Sequence, residues 1–126
     1  MHETFRIIRV RRENDRTKTL MFDHALPAKP GQFVMAWLPG VDEKPFSIAA
    51  DDPLALMVVA VGPMSEALHR LGVGDRVWIR GPLGQGFRLP DDPGSKRMLL
   101  VGGGYGVAPL LFLARRALEA GCAVDV

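Results

Sequence analysis

Glycine and proline interrupt this chain so often that no apolar stretch in its first three-quarters can run long. Turn clusters fall at Glu13-Asn14-Asp15-Arg16, at Pro27-Ala28-Lys29-Pro30-Gly31, at Gly62-Pro63, at Gly72 and Gly74, and across Gly81–Phe87. Between them lie short segments rich in β-branched, aromatic and aliphatic residues: 4–12, 17–23, Gln32–Leu38, Pro45–Ala50, Leu54–Val61 and Arg76–Arg80. Each has the length of a strand. In 17–23, Leu20 and Phe22 share one face, and Thr17, Thr19 and Met21 the other. Pro30-Gly31 suits a type II turn, with glycine taking the positive φ. Ser65–Leu71 is the one helical stretch here, with Leu68 and Leu71 on one face and Gly72 as its stop. Six short strands and one small helix over residues 1–95 predict a six-stranded antiparallel Greek-key barrel.

After Pro90-Asp91-Asp92-Pro93-Gly94-Ser95, which has linker composition, the pattern changes. Met98–Val101 is a continuous apolar strand, Gly102–Gly106 a glycine loop, Ala108–Ala120 a helix stopped by Gly121, and Cys122–Val126 a further strand. This order predicts, over residues 96–126, the first β-α-β unit of a parallel, nucleotide-binding sheet. Parallel sheets are normally covered on both faces, which one such unit cannot achieve. The expectation is therefore a complete barrel followed by an incomplete second domain, that is, a fragment.

Composition removes several classes. With 48% hydrophobic residues the 126-residue chain is not of disordered type. A single cysteine, Cys122, excludes a disulfide framework and a multi-cysteine metal or iron–sulfur site within these residues. It reads as a buried core thiol. A net charge of +2 is too even for a general polyanion binder. The N-terminus lacks a signal-like apolar core, and the longest apolar run, Val107 to Ala114, falls far short of the ~20 residues that cross a bilayer. A soluble, cytoplasmic protein with neither nucleic-acid nor membrane partners is expected.

Three segments could carry chemistry. In Val101-Gly102-Gly103-Gly104-Tyr105-Gly106-Val107-Ala108-Pro109, glycines after a buried strand permit close backbone approach, and the helix start offers N–H groups to phosphate. It is neither G-x-G-x-x-G, since Val107 or Pro109 falls at the third glycine, nor a P-loop. A bare strand-to-helix turn would need fewer glycines. The second segment, Val61-Gly62-Pro63-Met64-Ser65-Glu66, could aim backbone donors and the Ser65 hydroxyl at a pyrophosphate. It could equally be an ordinary cap with Ser65 as cap residue. The third, Asp42-Glu43-Lys44-Pro45-Phe46-Ser47-Ile48, gathers a cation, a flat ring and a hydroxyl, which by itself describes a strand start with a surface lysine.

Pro30-Gly31-Gln32-Phe33-Val34-Met35, Trp37 through Ser47, Gly81-Pro82-Leu83-Gly84-Gln85-Gly86-Phe87 and the glycine loop occur in this order. Together they resemble the ferredoxin-NADP reductase superfamily, and within it the electron-transfer subunits of dihydroorotate dehydrogenase type B, over essentially all 126 residues. The resemblance implies an FAD-binding barrel and an NAD-binding domain. The superfamily's Arg-x-Tyr/Phe-Ser segment corresponds to Lys44-Pro45-Phe46-Ser47, which implies Ser47 near the reactive flavin nitrogen, Phe46 beside the ring system and Lys44 toward the pyrophosphate. The cofactor strand corresponds to Met57-Val58-Val59, and the phosphate turn to Gly62 through Ser65, with Met64 between. Gly102, Gly103, Gly104 and Gly106 would receive NAD(H). Lysine at 44 departs from the usual arginine and offers a point charge in place of a bidentate fork. A cysteine cluster for a [2Fe–2S] centre, expected in full-length relatives, has no counterpart here.

The remaining candidates read as structural. Arg6, Arg9, Arg11, Arg12, Arg16 and Lys18 against Glu13 and Asp15 suggest a solvated strand face; His69 suggests a solvated helix flank; Trp37 and Trp78 suggest barrel core or rim. The resemblance implies a flavin-dependent subunit passing electrons between NAD(H) and a catalytic dihydroorotate dehydrogenase-type partner in pyrimidine biosynthesis, with no side-chain acid, base or nucleophile required. Alternatives are a non-catalytic flavin-binding or docking module, or a reductase serving a ferredoxin or hydrogenase-type partner. A barrel for single-stranded nucleic acid would want clustered aromatics, and the 7% here do not cluster.

Overall fold

The computed structural model describes residues 3–87, 97–99 and 107–125. Six antiparallel strands close a barrel: β1 (Glu3–Arg12), β2 (Thr17–Phe22), β3 (Phe33–Leu38), β4 (Asp42–Asp51), β5 (Leu54–Val59) and β6 (Arg76–Leu83), in the spatial order β1-β2-β5-β4-β3-β6. A short helix, α1 (Pro63–His69), links β5 to β6. Beyond the barrel, β7 (Arg97–Leu99) and β8 (Ala123–Asp125) pair in parallel across α2 (Val107–Glu119), the β-α-β order expected from the sequence.

Alternation fills the barrel. Phe5, Ile7, Leu20, Phe22, Val34, Ala36, Ile48, Leu56, Val58, Val77 and Ile79 point inward and are almost wholly buried, each large side chain contributing about 1.5–3 kcal/mol by leaving water. Phe5 and Phe22 meet edge to face with ring centroids 6.2 Å apart. Trp37 and Trp78 face each other across β3 and β6 on the outside, rings 5.5 Å apart, so they are rim residues. Thr17 and Thr19 are also buried, and the Thr19 hydroxyl donates to Glu13 at 2.8 Å.

Several strands run further than the sequence suggests. β6 continues through Gly81 to Leu83, which pairs with Phe33; a Cβ at Gly81 would come within 3.2 Å of Val34 and the Phe33 carbonyl, so glycine marks close strand approach rather than a stop. β4 starts at Asp42 and passes through Pro45, which is tolerated because the strand is paired on one side only there. The turn at Lys29–Gln32 is of type II as expected: Gly31 has φ +94°, and the Gln32 N–H donates to the Lys29 carbonyl. α1 begins two residues before Ser65, with Gly62 at its N-cap and Pro63 in the first turn.

Two long strands turn the corners of the barrel. β1 pairs with β6 over Glu3–Arg6 and with β2 over Ile7–Arg12. β4 pairs with β3 over Asp42–Ser47 and with β5 over Ile48–Asp51. Each corner leaves two half-edges without a strand partner. Those of β1 meet Asp23 on one side and Gly74 and Asp75 on the other. The 48–51 half of β4 meets the 26–32 segment, through Ile48 N–H to the Gln32 carbonyl and Leu26 N–H to the Asp51 carbonyl. The 42–47 half diverges from the end of β5, and a cleft opens between them.

Candidate functional site

That cleft is a cavity of about 520 Å³. One wall is β4, through Lys44, Pro45, Phe46 and Ser47, with Asp42 at its edge. The opposite wall is β5 through Met57 and Val59, whose side chains point away from the barrel interior. The β5–α1 turn closes one end, with Val61, Gly62, Pro63, Met64 and Ser65. The 42–47 half of β4 and the continuous run from β5 into α1 therefore face each other across one site because β4 and β5 splay after the Ile48–Leu56 pair.

The candidate residues are not equivalent. Phe46 packs partly against the barrel core and so presents a fixed ring. Ser47 is half-buried, and among the described residues its hydroxyl makes no hydrogen bond. Lys44 stands at the mouth, its side chain 57% exposed and its Nζ 3.7 Å from an Asp42 carboxylate oxygen. That loose pair leaves the ammonium free to be recruited. Val58 does not line the cavity: its side chain is fully buried in the barrel, as strand alternation requires. Its carbonyl is held at 2.6 Å by His69 Nε2, so His69 is a half-buried tether and not a solvated flank.

Ser65 differs most from the outward-facing reading. Its hydroxyl turns into its own helix start, accepting from the N–H groups of Val61 at 2.9 Å and Gly62 at 3.0 Å, and donating to the Gly62 carbonyl at 3.1 Å. It is 6% exposed. Ser65 thus shapes the turn, and Gly62, not Ser65, is the cap residue. A Cβ built on Gly62 would meet nothing within 4 Å, so the turn's backbone faces open space.

Gly102, Gly103, Gly104 and Gly106 lie outside the described residues. The helix that follows them is described, and it packs on the barrel: Phe112 is 2% exposed within the barrel's core cluster. Cys122 is a free, buried thiol, as expected. The basic strand face is partly neutralised locally, by Arg11–Glu13 at 2.6 Å and Arg12–Asp15 at 2.7 Å. Asp42, Val61 and Pro63 also line the cavity; all three belong to the segments singled out in the sequence, though none was named there as a binding residue. Among the described residues no group of three or more His, Cys, Asp or Glu could hold a metal. No helix among them is long and apolar enough to cross a membrane.

No protein-family profile matches the sequence. Curated relatives do. A probable dihydroorotate dehydrogenase B (NAD(+)) electron transfer subunit of Thermococcus kodakarensis is 46% identical over 99 residues, covering 79% of this chain and 40% of the relative. One of the same description from Methanothermobacter thermautotrophicus is 40% identical over 129 residues, covering 98% and 47%. Among solved structures, the NADH-dependent reduced ferredoxin-NADP oxidoreductase superposes with a TM-score of 0.84 at 26% identity, covering 95% of this chain and 46% of that one. Over most of its length the chain is similar to proteins of the ferredoxin-NADP reductase family. It spans less than half the length of these relatives. The cleft between β4 and β5 is the part of the chain that gathers most of the singled-out residues.

Proposed function

We propose that this chain is the flavin-holding part of an NAD(H)-linked electron-transfer subunit, and that the β4/β5 cavity receives FAD. One observation carries the reading: Lys44–Ser47 of β4 and the run from Met57 and Val59 of β5 into Gly62–Ser65 of the β5–α1 turn line a single cavity. The residues fit the group. Phe46, Met57, Val59 and Met64 offer apolar surface to a flat ring; Ser47 offers an unengaged hydroxyl at its edge; Lys44 offers a charge, and the open space at Gly62 offers room, to phosphate oxygens. FAD, when bound, supplies the step from two-electron hydride acceptance to one-electron release. The chain's own residues bind and orient: Phe46 is fixed by core packing, the Ser65 hydroxyl holds the turn, and Lys44 balances charge. No side-chain acid or base is required. Gly102, Gly103, Gly104 and Gly106 are proposed to receive the nicotinamide dinucleotide.

The names of the relatives support a catalytic dihydroorotate dehydrogenase-type subunit as partner, in pyrimidine biosynthesis. A [2Fe–2S] centre, if the protein uses one, is held outside the described residues. We place the protein in the cytoplasm. The similarity to a ferredoxin-NADP oxidoreductase favours one second reading, a ferredoxin as the electron acceptor.

The test is direct. Purified protein should carry or take up FAD, seen as a flavin absorbance spectrum, and NADH should bleach it in a stopped-flow experiment. A protein that stays colourless with added FAD defeats the reading. FAD uptake with negligible bleaching by NADH would leave only a flavin-binding or docking module.

A further inference from the structure

Away from the cavity, an ion pair among the described residues joins α2 to the barrel. An Arg116 Nη nitrogen lies 2.9 Å from Asp51 Oδ2 and 3.4 Å from the Ala28 carbonyl oxygen. The guanidinium carbon sits 5.2 Å from the centroid of the Phe112 ring. Phe112 is buried in the barrel core cluster, against which Leu26 and Ala28 also pack. Asp51 Oδ2 accepts the Ala28 N–H as well, at 3.3 Å, and the Asp51 carbonyl accepts the Leu26 N–H at 2.8 Å. A single residue at the end of β4 therefore ties together the strand, the 26–28 segment and α2.

The pair differs from the surface pairs on β1. Its side chains are 33% and 23% exposed, each partner holds further hydrogen bonds, and the arginine lies over a buried ring. Such a pair is screened less than an exposed one and has its geometry fixed by several independent contacts. Its placement gives that geometry a consequence. Asp51 ends the strand whose other half, Asp42–Ser47, is the cavity wall, and strand pairing with β3 and β5 makes β4 a stiff connection. Arg116 lies on the helix that directly follows the glycine-rich 101–106 segment.

We propose that Asp51 and Arg116 are positioning residues, whose pair sets the attitude of α2 against β4, the strand whose other half is the cavity wall. The inference rests on the FAD and NAD(H) reading above and adds two residues that neither motif contains. An ion pair that only adds stability would lower the melting temperature when broken, without selectively loosening α2 or slowing hydride transfer.

The experiment compares wild type with Asp51→Asn, Arg116→Gln, Arg116→Lys and the exchanged pair Asp51→Arg/Arg116→Asp. Amide hydrogen exchange over 107–119 and over the barrel strands is measured by mass spectrometry, and bleaching of bound FAD by NADH is followed over a range of NADH concentrations. The neutral variants should exchange about tenfold faster in α2, equivalent to roughly 1.4 kcal/mol. Barrel exchange and the flavin spectrum should be unchanged, and the limiting bleaching rate should fall. Arg116→Lys should lie between, and the exchanged pair should recover part of the loss. Unchanged exchange in α2, equal acceleration across the barrel, or an unaltered limiting rate would each overturn the proposal. A wild type that binds no FAD refutes the flavin reading, not the clamp, because exchange in α2 still decides whether the pair holds the helix.

Discussion

His69 Nε2 lies 2.6 Å from the Val58 carbonyl oxygen, and the His69 carbonyl in turn accepts from Lys18 Nζ at 2.9 Å. These two bonds fasten the end of α1 to β5 and β2. They matter because β5 has lost its β4 neighbour at this point and pairs with β2 alone, through Lys18 and Val58, so the imidazole adds a second hold on the strand end. The ring must present an N–H at Nε2 to the carbonyl, which sets its tautomer when neutral.

Replacing His69 with Leu removes this hydrogen bond while keeping side-chain bulk. The expected cost is about 0.5–1.5 kcal/mol, the net contribution of one hydrogen bond. A urea titration should show a lower midpoint with unchanged slope. His69→Gln, which retains a donor, should recover part of the loss. Equal stability of all three proteins would show that water satisfies Val58 just as well.

Gly31 gives a second stability prediction. Its φ of +94° disfavours any side chain, and a Cβ there would come within 2.8 Å of the Phe87 backbone nitrogen. That nitrogen donates to the Pro30 carbonyl, and the Gln32 amide donates to the Gly84 carbonyl at 2.8 Å, so the turn is docked on the tail of β6. Gly31→Ala should destabilise by about 2–3 kcal/mol, combining backbone strain with displacement of that tail. Gly40→Ala is the control: φ is +81°, but nothing lies within 4 Å of its Cβ, so only the conformational part, about 1 kcal/mol, should appear. Similar losses at both sites would remove the close approach from the explanation.

The barrel was legible because its information is local. Strand-length segments between turns, and alternation within them, are enough to put Leu20 and Phe22 on one face, whereas Val58, which the resemblance implied as a cofactor residue, is turned into the barrel. Glycine and proline misled where they serve packing: Gly81 and Pro45 look like breakers yet lie within strands. The cavity was legible only in pieces: Met57–Val59 runs straight on into Gly62–Ser65, but what sets Lys44–Ser47 across from them is the splay of β4 from β5, a matter of register that single-segment patterns do not carry. Ser65 shows the same limit on a smaller scale. Its type and position suggest a ligand donor or a cap, and only geometry shows the hydroxyl turned back on Val61 and Gly62. Asp51 and Arg116, far apart in sequence and ordinary in their surroundings, gave no signal.

Glu13 sets an acid limit on the β1–β2 hairpin. Its carboxylate accepts from Arg11 Nε at 2.6 Å and from the buried Thr19 hydroxyl, and these bonds, that from Arg11 foremost, hold its pKa below the usual carboxylate range. A carboxyl whose folded pKa is depressed contributes stability that is present above its unfolded pKa and is lost as pH falls through the folded one. Wild type should therefore lose stability on acidification below the ordinary carboxylate value, and Glu13→Gln should lose less over that window. Parallel pH–stability curves for the two proteins would show that Glu13 contributes nothing to the acid limb.

Lys44 tests how the cavity would grip a phosphate-bearing ligand. Its ammonium is half in solvent, and its Asp42 partner at 3.7 Å forms a pair worth at most about 1 kcal/mol, so little is given up on turning to a ligand. A lysine supplies one compact charge, whereas arginine at the same position would offer a planar fork to two phosphate oxygens. Lys44→Met should weaken FAD binding by about tenfold and flatten its salt dependence, as expected for the loss of one charge-assisted contact. Lys44→Arg should keep or tighten it by a few-fold. Riboflavin, which has the ring but no phosphate, separates the roles: its affinity should be the same for all three proteins. If Lys44→Met weakens riboflavin as much as FAD, the lysine acts on the ring or on the cavity wall and not on the phosphates.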